Sequence, residues 1–152
     1  MPDVTFKITG ESESPARMRV AARQFSIIVD EPPELGGTDA GPNPVEYVLT
    51  ALAGCLTTSL VCHAAARGIE LRSVDSELEG DLDVRGFLGI DPNVRNGYRN
   101  IRVTFHIDSD ASEEQIQELI DVAQQRSPVF DMMTHEVPVE VGYDRQIPSQ
   151  AA

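Results

Sequence analysis

The sequence predicts an α+β fold: an antiparallel sheet, one long buried helix and two shorter helices. Two observations predict it. Short runs of apolar and polar residues with strand spacing lie on both sides of residues 48–62, VLTALAGCLTTSLVC, a stretch without a charged side chain. Two further capping signatures, at Ser112 and Ser127, mark helix starts late in the chain. Strands, a helix, strands and then helices make an α+β order rather than a regular βα alternation. No internal repeat breaks the sequence, and residues 1–152 are expected to form one domain with a loose tail from about Asp144. A chain of this size buries roughly 68–70% of its unfolded surface, enough for a core.

The elements are expected in the following order. Val4 to Ile8, Met18 to Ala22 and Gln24 to Val29 are β-prone runs, the first set apart by the polar segment Gly10 to Pro15. Glu31 to Asn43 gathers Pro32, Pro33, Gly36, Gly37, Gly41 and Pro42, a composition that forces turns. The long helix starts with Asn43 as N-cap, Pro44 in the first position and Glu46 at N3, and it stops at Arg67 and Gly68. Its middle is apolar on all sides, so it is expected to be enclosed by its own sheet and by a second subunit. Leu78, Leu82 and Val84 alternate with acidic residues, and Ile101, Val103, Phe105 and Ile107 alternate with polar ones, giving two half-buried strands. The segment between them, RGFLGIDPNVRNGYRN, is an excursion with turn chemistry at Asp91-Pro92 and Asn96-Gly97. Ser112 and Gln115 form a capping box for a helix with Ile116, Leu119, Ile120 and Ala123 on one face. Ser127-Pro128 starts a short helix reaching Met133, and Val137 to Val141 reads as a last strand.

Charge narrows the function. Twelve basic and 25 acidic side chains give a formal net charge of −13, which repels phosphate backbones and anionic membranes, so neither nucleic acid nor a membrane is an expected partner. The N-terminal MPDVTFKITGESESPARMRV lacks the apolar core of a secretory signal, and a cytoplasmic, reducing location is expected. The uncharged run between Glu46 and His63 is diluted by Thr50, Gly54, Thr57, Thr58 and Ser59 and is expected to fall short of the ~20 predominantly apolar residues of a membrane span.

The cysteines, Cys55 and Cys62, are expected as free thiols. Seven residues apart on a helix, they share a face but lie about 10 Å apart along the axis. A disulfide needs Cα atoms within roughly 7 Å, so the two do not pair. Apolar burial makes a thiol inert, and Cys55 lies about three turns from the helix N-terminus, so its activation needs a cation from another segment. Cys62 is expected to serve as core packing. The three histidines and two cysteines show no metal-ligand spacing, and neither a Gly-rich phosphate loop nor a nucleophile elbow is present, so no metal or cofactor is expected.

The order of short motifs carries further information. Asp30-Glu31-Pro32 is followed by Gly36-Gly37, by G-P-N-P at 41–44 and by A-L-A-G-C at 51–55; later come R-G-F-L-G-I at 85–90, S-P-V at 127–129 and V-P-V-E-V at 137–141. Over residues 16–143 this series resembles the OsmC/Ohr family of osmotically induced and organic hydroperoxide resistance proteins. The resemblance implies an intertwined homodimer with antiparallel sheets wrapped around long central helices. It implies thiol-dependent reduction of organic hydroperoxides, with Cys55 as the attacking thiol, Arg23 or, failing it, Arg19 as the cation beside it, and an external thiol as reductant. Glu46 is the candidate carboxylate, although an ungapped match back from Cys55 puts Val45 at the family's usual glutamate. The family's resolving cysteine falls on Ser127, hence the one-cysteine cycle. Ser127 and Val45 leave open an alternative, a non-peroxidase homodimer that binds a small apolar ligand at the dimer interface.

Overall fold

The long helix α1 runs from Pro44 to Ala66, and its two ends are built as the sequence predicts. The computed structural model describes residues 3–145, so most of the expected loose tail lies outside the described residues. Asn43 Oδ1 accepts from Glu46 N at 3.0 Å while Glu46 Oε2 accepts from Asn43 N at 2.8 Å, a reciprocal capping box contributing about 1 kcal/mol. At the other end Gly68 adopts φ 68°, and Gly68 N and Ile69 N donate to the carbonyls of Ala65 and Ala64. That pair of bonds is a Schellman stop, which needs the left-handed backbone that glycine adopts without strain.

Two antiparallel sheets accompany the helix. The first has the order β1 (Thr9–Ser12), β2 (Arg17–Ala22) and β3 (Phe25–Asp30); the second pairs β4 (Ser73–Asp81) with β5 (Asn100–Asp108). Between β4 and β5 lies the short helix α2 (Val84–Phe87), and after β5 come α3 (Glu113–Arg126) and α4 (Pro128–Thr134). Both late helices start on the predicted caps: Ser112 and Gln115 form a capping box, and Ser127 Oγ accepts from Phe130 N at 3.1 Å. The core is the Leu52, Leu56, Leu60 and Ala64 stripe of α1 together with Leu119 and Ala123 of α3, with Phe105 and Ile107 of β5 packed against it.

Several expectations are corrected. The first strand is Thr9–Ser12, not Val4 to Ile8: Thr9 pairs with Ala21, and β2 ends one residue later, so the earlier residues run past its end without a partner. The strand after α1 begins at Ser73 and ends at Asp81, before Leu82 and Val84, because Asp83 accepts from Arg85 N and caps α2. Val137 to Val141 forms no strand; Val137, Val139 and Val141 are exposed and pair with no strand among the described residues. An extended segment gains strand hydrogen bonds only from a partner. Cys62 is exposed rather than packed in the core, since it lies two residues, or about 200° around the helix, from buried Leu60. Length and composition also correct the membrane argument: α1 has 23 residues, an 18-residue stretch of it has a mean hydropathy of 1.6, and it suffices to cross a membrane by those measures alone. Its packing against α3, α4 and β4 is that of a core helix.

The Gly/Pro-rich loop from Glu31 to Asn43 is organised by one buried carboxylate. Asp30 accepts from Glu31 N, Thr38 N, Ala40 N and, at 2.6 Å, from the Thr38 hydroxyl. These donors, the Thr38 hydroxyl foremost, hold its carboxyl below the usual aspartate range. Gly37 packs so close that a Cβ there would lie 1.7 Å from the Glu31 carbonyl oxygen, which explains the second glycine of the pair. The loop then returns along β3, and the Tyr47 hydroxyl donates to the Ile28 carbonyl at 2.7 Å, tying α1 to the first sheet.

Asp30→Asn replaces an acceptor with an amide whose NH2 faces N–H donors, and it is expected to lower the melting temperature by about 5 °C or more in a circular-dichroism melt. Acid sensitivity follows from Asp83, which Arg85, bonding through both its side chain and its backbone N–H, holds at about 2. Because that value lies below an unfolded aspartate's ~3.9, the stabilisation is present above about pH 4 and is lost as pH falls toward 2. The stability gap between wild type and Asp83→Asn, measured by urea titration, is therefore expected to narrow over that interval.

Candidate functional site

Cys55 is a half-buried free thiol in the middle of α1. It lies three residues after buried Leu52 and one before buried Leu56, on the shoulder of the packed stripe. On its other side runs a face of small and apolar residues, Ala51, Gly54, Thr58, Val61, Cys62 and Ala65, all exposed. The thiol therefore sits at the boundary between the chain's own core and an uncovered apolar surface. Cys62 is also free, seven residues or about 10 Å further along the axis, so it is too far for a disulfide within the intact helix.

The other candidates occupy separate places. Arg23 is at the tip of the β2–β3 hairpin, with φ 55° and its guanidinium 5.1 Å from the centre of the Phe25 ring, a cation–π contact. Arg19 lies opposite Ile28 in the strand pairing, nearer to the start of α1, and forms an ion pair with Glu13 at 2.6 Å. The Arg19 hydrogen bond is the main cause that holds the Glu13 carboxyl low. Glu46 is engaged in the capping box, nine residues before Cys55, about 13 Å along the helix axis. Among the described residues no hydrogen bond or ion pair joins Cys55 to Arg19, Arg23 or Glu46. Ser127 is buried, and its hydroxyl accepts from Phe130 N; that capping role accounts for it without redox chemistry.

Tyr98 has a role that the sequence reading missed. Its ring lies over Gly80, where a Cβ would come within 2.5 Å of it, and its hydroxyl donates to the Val45 carbonyl at 3.0 Å. Burial, then the Glu46 charge, push its pKa up. Gly86 does the same work at the other end of the excursion, where a Cβ would meet the Arg95 carbonyl at 2.5 Å. The excursion is thus closed on itself and fastened to the first turn of α1. A cavity of about 510 Å³ opens beside that fastening, between α1, β5 and α4. The only legible signal was the Gly and Tyr content of RGFLGIDPNVRNGYRN, which marks turns but not what they enclose.

The family model described as OsmC-like protein matches residues 37–142. The chain is similar to a protein of Mycoplasma genitalium named hydroperoxide reductase, with 25% identity over 134 residues covering 86% of this chain and 88% of that protein. Its fold is similar to that of an OsmC-like protein from Mycoplasma pneumoniae, with a TM-score of 0.75 and 24% identity over 89% of this chain and 91% of that one. An organic hydroperoxide resistance protein OsmC from Legionella pneumophila has a TM-score of 0.62 at 16% identity, over 88% of this chain and 91% of that one. The motif series, the long central helix flanked by two antiparallel sheets, and a family match across most of the sequence lead to one conclusion: this chain belongs to the OsmC-like protein family.

Proposed function

We propose that this protein is a homodimeric, cytoplasmic reductase of organic hydroperoxides that uses Cys55 as its only redox cysteine and an external thiol as reductant. The observation that carries the reading is a free, half-buried Cys55 on the shoulder of α1, at the edge of an apolar surface suited to an organic peroxide. The similarity to a relative named hydroperoxide reductase supports it.

In the proposed cycle the Cys55 thiolate attacks the outer oxygen of the hydroperoxide. The S–O bond forms as the O–O bond breaks, and the departing alkoxide takes a proton and leaves as an alcohol. Cys55 is then a sulfenic acid, oxidised by two electrons. Since Ser127 cannot form a disulfide, an external thiol attacks the sulfur, releasing water and leaving a mixed disulfide. A second external thiol attacks that mixed disulfide and displaces Cys55 as the thiolate, so the two external thiols together supply two electrons and leave as a disulfide. Arg23, or Arg19 in its place, supplies positive charge that favours the thiolate, and Glu46 orients that arginine. A second subunit covers Ala51, Gly54, Thr58 and Val61, and the approach of the two α1 helices along these small side chains excludes water beside the sulfur.

Ser127 and Val45 favour a second reading, a homodimer that holds a small apolar ligand between its subunits without turnover. Saturable binding of cumene hydroperoxide by the wild type with no cumyl alcohol formed would select it.

With cumene hydroperoxide and dithiothreitol, Cys55→Ser is expected to lose more than about a hundredfold in turnover, and Cys62→Ala to keep wild-type rates. Full turnover by Cys55→Ser would end the thiol mechanism. Sedimentation is expected to give twice the 16.6 kDa chain mass for the wild type and a lower mass for Thr58→Glu, which puts a charge into the apolar face. A wild type that sediments as one chain would remove the dimer.

A further inference from the structure

We propose that the cavity between α1, β5 and α4 is a binding site, within one protomer, for an anionic amphiphile: a carboxylate carrying an aliphatic chain. This goes beyond the peroxidase reading and does not depend on it, since Cys55 is not among the cavity's lining residues. At about 510 Å³ the cavity has the size of a small-molecule site. Its walls are apolar, with Val48 and Leu52 from α1, Val103 from β5, and Phe130 and Met133 from α4.

Arg95 and Arg99 line the same cavity, where the excursion meets it. The two hydroxyl groups in the lining are already committed: that of Tyr98 donates to the Val45 carbonyl and that of Thr134 to the Phe130 carbonyl. The guanidinium of Arg95 is not. Arg95 has no ion-pair partner among the described residues. Arg99 lies 4.0 Å from the Asp83 carboxylate, which already accepts from Arg85 Nη2 at 2.7 Å, Arg85 Nε at 3.0 Å and Arg85 N at 3.1 Å, and its charge also reaches Asp81. Glu46, whose charge reaches Tyr98, has one oxygen occupied by the Asn43 N–H.

With 25 acidic side chains against 12 basic ones, two arginines lining one cavity, one of them without an ion-pair partner among the described residues, are a departure from the chain's own balance. Each guanidinium offers only donors and positive charge, in the planar fork that receives a carboxylate through two parallel hydrogen bonds. Apolar walls beside that fork call for an alkyl chain on the same molecule.

Calorimetric titration of the full-length protein with sodium decanoate, 1-decanol and decyltrimethylammonium, all below micellar concentrations, tests the proposal. Decanoate is expected to bind saturably and about tenfold more tightly than decanol, and the cation not to bind in the cavity. Arg95→Gln and Arg99→Gln are each expected to weaken decanoate about tenfold while leaving decanol unchanged, which also reports that the cavity is intact. Cys55→Ser is expected to bind decanoate like the wild type. The net charge of −13 by itself favours the cation, so general electrostatics predict the opposite order. Decanol or the cation binding as tightly as decanoate would overturn the proposal, as would unchanged decanoate affinity in both arginine variants. Absence of saturable decanoate binding would also overturn it and leave the cavity as a surface for a second copy of the chain.

Discussion

Helix α1 carries apolar side chains around most of its circumference, and one chain covers only the face with Leu52, Leu56, Leu60 and Ala64. Burying a leucine side chain contributes roughly 1.5–3 kcal/mol, so that stripe against α3, β4 and α4 is the main cohesive contact of the fold. The opposite face, Ala51, Gly54, Thr58 and Val61, stays uncovered. Small side chains let another backbone come close, and an apolar surface on a long helix gains free energy when water leaves it. The proposed dimer answers that constraint. The same constraint puts Cys55 on the line where two environments meet.

Polar ties fix where α1 begins. Asp30 gathers the donors of the loop, Gly37 lets the loop close on itself, and the capping box turns the chain into the helix. Tyr47 and Tyr98 then attach the first turn to β3 and to the excursion. These groups form one structural unit around residues 28–47, and the cavity lies beside it. The loop motif therefore has a physical explanation that involves no chemistry on substrate.

The reactivity proposed for Cys55, by contrast, calls on groups drawn from elsewhere. Arg19 and Arg23 belong to the β2–β3 hairpin, Glu46 to the helix cap, and Ser127 to the start of α4. A helix interior provides a thiol with position and with exclusion of water, but not with positive charge. In the proposed cycle that charge comes from an arginine and the reducing thiols come from solution, since Ser127, which accepts from Phe130 N as a helix cap, has no sulfur to form a disulfide.

Local chemistry made much of the fold legible. The caps at Asn43, Ser112 and Ser127 and the Gly68 stop are decided by hydrogen bonds within a few residues, and the structure keeps all of them. What sequence left open, or misjudged, depends on partners distant in the chain. Val4 to Ile8 and Val137 to Val141 have strand composition, but a strand exists only where another edge donates and accepts, and β2 ends too soon for the first. Cys62 looked like core because its neighbours in sequence are apolar, whereas burial follows the 40° drift of the Leu52–Leu56–Leu60–Ala64 stripe and the elements packed on it. Cys55 and its family context were readable from a motif. Tyr98 over Gly80, and Arg95 and Arg99 at one cavity, became visible only in three dimensions, since they are brought together by a loop closure that no local pattern encodes.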